Sequence, residues 1–214
     1  MCPAANSSMI TVGNAKSFAT ITNGLSYTAP FKGITGPHEP LWVQQFVVGR
    51  LKGYITTLSL HGRYRRAENA AARKLHYPIM KFPYVPLTGP IVKDNPRMVL
   101  EVYESVYVFR SSAGAENSIA NVFPADSPAL QQGTVLRGLP RLGDQTMGYV
   151  RAFLPNNNSY EHVVAIFVRD GDLEVQVSTQ GGKDISVADG VRFARLAVNR
   201  ILDRCPTNEN AQEP

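Results

Sequence analysis

The side chains best suited to chemistry in this chain are cationic and aromatic, and they crowd into one stretch. Between His61 and Lys81 lie Arg63, Arg65, Arg66, Arg73, Lys74 and Lys81, against Glu68 alone. That local excess matches the formal net charge of the whole chain, +5. Tyr64, Tyr77, Phe82 and Tyr84 are interleaved with the cations. Guanidinium groups can contact phosphate while aromatic rings stack on bases. The same mixture attracts anionic lipid heads or an acidic protein surface. No RNA-binding signature accompanies it. A solvated face or an oligomer contact is therefore the preferred expectation, with docking on an acidic partner or nucleic acid as the alternative.

Other chemistries find little support. His38, His61, His76 and His162 never pair at helical spacing, and no H-E-x-x-H pattern occurs, so no metal site is expected. Gly181-Gly182-Lys183 stands between a strand and a helix, as a phosphate-binding loop would. Val177 and Asp184, however, occupy the places where that loop needs a glycine and a hydroxyl, which leaves an ordinary turn. No G-x-S-x-G elbow is present, and Asp126, Asp144, Asp170 and Asp172 all adjoin turn-forming residues. Catalytic residues and cofactors are accordingly not expected. Cys2 and Cys205 stand near opposite ends. They fit a single bridge, two free thiols, or lipidation at Cys2.

The elements that would position any site are clearer. At 214 residues with 43% hydrophobic content, the chain can bury an ordinary core without staples. Residues 1–40 read as an irregular lead, with a short hairpin suggested around Asn23-Gly24. A single α+β domain spans 41–204, carries the basic insertion at about 61–96, and is followed by a flexible tail over 205–214. Strands are expected at 51–60, 98–110 and 147–154. The strand over 98–110 places Leu100, Val102, Val106 and Val108 in one phase, interrupted by Glu104. A glutamate there implies a bulge or a solvated position, or else a functional cavity; the former is the expectation. Ser111 or Ser112 caps a helix running to Phe123.

The last quarter is the most legible part. His162–Arg169 and Asp172–Thr179 form a hairpin turning at Asp170-Gly171. Leu173, Val175 and Val177 alternate with Glu174, Gln176 and Ser178, which predicts a sheet wet on one side. Ser186 then caps a helix whose apolar face is Val187, Val191, Ala194, Val198 and Ile201. The sum is an antiparallel β-sheet with helices packed on one face, closed by a C-terminal hairpin and a long helix.

No apolar run approaches the ~20 residues that a membrane-spanning helix needs. Met1–Thr11 lacks the charged and apolar regions of a signal peptide, so the chain is either cytoplasmic or a processed form.

Several short elements then combine. Trp42 precedes Gly49-Arg50-Leu51-Lys52-Gly53-Tyr54, Val106–Ala120 runs from strand into an alanine-rich helix, Gly143-Asp144-Gln145 opens a strand, and Arg169-Asp170-Gly171 forms the hairpin turn. Over roughly 40–204 the chain thereby resembles a class of bacterial extracytoplasmic domains found as lipoproteins and kinase sensor ectodomains in actinobacteria. It departs from them by the basic insertion and the missing signal peptide. The resemblance implies a non-catalytic ligand- or protein-binding accessory or sensor module, extracytoplasmic or held at a membrane by a lipid anchor. Its partner would be a small ligand or another protein. Tyr54, Tyr103, Glu104 and Tyr107 are the residues expected on the ligand-facing surface.

Overall fold

A two-residue turn fixes the register of the closing hairpin and, through it, the centre of the sheet. The structure, a computed structural model, describes residues 9–16, 25–30, 50–59, 97–122, 133–152 and 162–204. Strands β6 (His162–Asp170) and β7 (Leu173–Gly181) pair from Asp170↔Leu173 to His162↔Gly181. The central turn residues are thus Gly171 and Asp172, one position later than the sequence suggests. Gly171 has φ +55°, a left-handed value that glycine adopts without a side-chain clash. Asp144 secures the turn from outside. Its Oδ2 accepts from Gly171 N at 2.9 Å and from Arg169 Nη1 at 3.2 Å.

The described strands form one antiparallel seven-stranded sheet in the order β1-β2-β3-β7-β6-β5-β4. The remaining strands are β1 (Leu25–Pro30), β2 (Arg50–Ser59), β3 (Val99–Phe109), β4 (Gly133–Val135) and β5 (Gln145–Ala152). Three helices complete the described elements: α1 (Val12–Ala15), α2 (Ser112–Val122) and α3 (Val187–Leu202). Leu25–Pro30 pairs with β2, and the turn suggested at Asn23-Gly24 lies outside the described residues.

The α+β class, the antiparallel sheet, the hairpin and the long closing helix match the sequence expectation. The two longer helices, however, divide between the faces. Phe193, Ala194, Ala197, Val198 and Ile201 of α3 pack on Val102, Val106, Val164, Ile166, Val168, Leu173, Val175 and Val177. Ile119 of α2 packs instead on Val163, Ala165 and Phe167, the alternate residues of β6. Successive strand side chains point to opposite faces, so the two helices lie on opposite sides of the sheet. The apolar run of β6 serves both layers, as expected of a strand covered on both faces.

That double covering overturns the expectation of a wet face. Glu174 is fully buried, and Glu101 and Gln180 nearly so. The alternation in β7 therefore separates an apolar layer from a polar layer in which Glu174 and Gln180 are buried and Gln176 and Ser178 half-buried, not core from open solvent. The helix over 112–122 forms as expected, with Ser111 Oγ accepting from Gly114 N at 3.2 Å. Among residues 112–120 Ala115, Ser118 and Ile119 are buried, while Ala113 and Ala120 face out. Ser186 Oγ accepts from Ala188 N at 3.0 Å and caps α3. Gly190 lets α3 approach the sheet closely, since a Cβ there would meet Val164 Cγ1 at 2.8 Å.

Candidate functional site

The expected ligand-facing residues do not share a surface. Tyr54 pairs with Val106 and packs against the α3-side core. Glu104 lies on that same side, between Val102 and Val106 in phase and opposite Val177. Tyr103 and Tyr107 point to the other face, toward α2. Tyr107 joins Phe109 and Ala115 in a small apolar cluster. Tyr103 donates its hydroxyl to Glu101 Oε2 at 2.6 Å. Strand alternation already separates Glu104 from Tyr103 and Tyr107, since even and odd positions of one strand point to opposite faces, and the pairing of β2 with β3 then places Tyr54 on the Glu104 side.

The α2 side of β3 and β7 gathers a group that sequence reasoning passed over. In register, Glu101 stands beside Gln180, Tyr103 beside Ser178, Ser105 beside Gln176 and Tyr107 beside Glu174. Directly paired antiparallel residues share a face with Cβ atoms about 5 Å apart, so these side chains form one polar strip. Gln176 Nε2 donates to Glu174 Oε1 within the strip. Gln180 is only 5% exposed, and its Oε1 accepts no hydrogen bond. A buried amide oxygen without a donor costs on the order of 1–3 kcal/mol. Alternation alone places Glu174 and Gln176 in solvent. The usable signal was the number of polar side chains on strands that pair at the sheet's centre, and centrality is not written in a local pattern.

On the opposite face Glu104 is set in an apolar cluster, with Thr56 opposite it on β2. It is fully buried, its Oε2 accepts from Ile10 N at 2.6 Å, and its Oε1 has no hydrogen-bond partner. Burial pushes its pKa from 4.5 up to about 8, opposed by the Ile10 hydrogen bond and by the Arg200 charge. The carboxyl is therefore neutral at pH 7. Neither a bulge nor solvent explains this position. The register shift in β3 falls between Val99 and Glu101 instead. Glu104 stays in the core because a segment far away in sequence supplies it with a backbone donor.

The basic residues Arg63, Arg65, Arg66, Arg73, Lys74 and Lys81 lie outside the described residues, as do Cys2 and Cys205. Gly181 ends β7 where a Cβ would meet Met98 O at 2.0 Å, so close backbone packing accounts for that glycine. Among the described residues, no three His, Cys, Asp or Glu side chains come together to hold a metal ion. Among them, too, no helix is long and apolar enough to cross a membrane.

No protein-family model matches the chain, and no curated protein matches it. Among solved structures, the extracellular domain of PknH from Mycobacterium tuberculosis is weakly similar. The alignment covers 94% of this chain and 97% of that one, at 8% identity and a TM-score of 0.44. At this similarity neither a shared family nor a shared activity follows from the pairing.

Proposed function

We propose that this chain is a non-catalytic, extracytoplasmic binding domain whose ligand-facing floor is the polar strip on the α2 side of β3 and β7. The single observation that carries the site is the buried Oε1 of Gln180, left without a donor beside the Glu101 carboxyl. Acceptors dominate the strip: two carboxyls from Glu101 and Glu174, and the Gln180 amide oxygen. A fitting ligand supplies N–H or O–H donors, as a primary amine or a polyhydroxylated molecule does. Such a donor would remove the desolvation cost now borne at Gln180. Tyr103 belongs to this floor through its bond to Glu101. Glu104 and Tyr54 do not, since they occupy the opposite face. Sequence resemblance to sensor and lipoprotein ectodomains supports the extracytoplasmic placement and the absence of catalysis.

The test is isothermal titration of the full chain with spermidine and with trehalose, one probe from each donor class. Saturable binding of either, abolished in Gln180→Leu and weakened at least tenfold in Glu174→Gln, supports the site. Binding unchanged in both variants, or no binding of either probe, refutes it. Near-ultraviolet circular dichroism shows whether the variants keep native packing.

A further inference from the structure

The proposed binding floor leaves Glu104 unused, on the other face, in a setting that costs the protein stability. Its only hydrogen bond is to the backbone of Ile10, 94 residues earlier. Around that bond, Met9, Ile10 and Ala15 are buried in the same apolar cluster as α3 and the sheet. The segment is short. Thr11 and Asn14 bond reciprocally at the start of α1, which spans only four residues. So small an element does not hold its own conformation in water, and its order depends on docking.

We propose that residues 9–16 form a latch on the α3 side of the sheet, closed through Glu104 and released progressively as that carboxyl gives up its proton. A neutral carboxyl can sit in this cluster while it accepts from Ile10. A carboxylate there has the same single protein hydrogen bond and is shielded from bulk solvent. Undocking the segment brings water to the charge, so ionisation and opening are linked.

The groups facing Glu104 leave it little other relief. From α3 comes Arg200, half-buried, the cation that moderates the shift. The other α3 charges near that end, Arg195, Asp203 and Arg204, are exposed. From the latch itself the only charged side chain is Lys16, also exposed. β2 offers Thr56 opposite Glu104 and Tyr54 two residues away on the same face. β7 and β6 offer Val177 and Ile166.

The sign follows from linkage. The closed state keeps its proton up to about pH 8, whereas a solvated Glu104 titrates near 4.5. Between those values the open state binds fewer protons, so opening becomes up to about tenfold easier per pH unit, then levels off. Hydrogen exchange of the Ile10 and Ala15 amides in the full chain, read as protection factors, measures this directly. The expected result is protection that falls with pH from about 5 to 8 and then flattens, while amides of Val177 and Ile166 hold theirs. In Glu104→Gln the fall disappears. In Arg200→Met the plateau moves to higher pH. Flat protection in the wild-type chain, an equal fall in Glu104→Gln, or an unmoved plateau in Arg200→Met overturns the proposal. Because Arg200→Met retains the carboxyl, it tests the idea even if Glu104→Gln does not fold.

Discussion

Glu104→Gln should make this protein more stable at neutral pH and should cancel a pH dependence that the wild type shows. The folded chain holds the Glu104 proton up to about pH 8, while the unfolded chain releases it near 4.5. The folded pKa is raised, so its stabilising contribution is complete below the unfolded value and is lost as pH rises toward the folded one. Each pH unit in that window costs about 1.4 kcal/mol. From pH 4.5 to 7 the loss is then about 3 kcal/mol, and by pH 8 it reaches about 4 kcal/mol. Release of the latch limits the loss, because a solvated carboxylate no longer bears the burial cost; a measured span of about 2–4 kcal/mol is therefore expected. Glutamine keeps an acceptor for Ile10 N and cannot ionise. Its amide NH2, like the carboxyl proton it replaces, lacks a partner at Oε1's position, so the two proteins should differ by no more than about 1 kcal/mol near pH 5. Urea denaturation of both proteins from pH 5 to 8.5 gives the comparison, and subtraction removes the titration of all other groups. Parallel stability curves would refute the assignment of a neutral, buried Glu104. For a domain with total stability of about 5–15 kcal/mol, an effect of this size is readily measured.

Three further substitutions probe the elements around the two faces. Gly190→Ala should destabilise by about 1–3 kcal/mol, because overpacking against Val164 Cγ1 outweighs the gain of about 1 kcal/mol in helix propensity; a rise in the urea midpoint would contradict the close approach of α3. Asp144→Ala should cost about 1–2 kcal/mol by removing the acceptor for Gly171 N and Arg169, with faster amide exchange at Gly171 as its local signature. Phe193→Ala should cost about 3–5 kcal/mol, since Phe193 is 1% exposed in the centre of the α3 layer; a loss below about 1 kcal/mol in thermal or urea unfolding would place it outside the core.

What the sequence determined by itself is whatever is encoded in neighbouring residues. Apolar residues recurring at every second position set β7, and those recurring every three to four residues set α3, because each period matches one backbone geometry. The Ser186 cap and the glycine-containing turn were legible for the same reason: their partners lie within a few residues. Tertiary structure decided which face is covered and by what. Glu174 and Gln176 look like solvent-facing residues in their own strand, and only the pairing of β7 with β3 beneath a second layer buries Glu174 and half-buries Gln176 in one polar strip. Glu104 looks like a local irregularity, yet its place depends on Ile10, whose amide reaches it only after the chain has folded. Local periodicity records the direction of a side chain but not what lies opposite it. That information comes from contacts between distant residues, and both candidate functional features of this protein are made of such contacts.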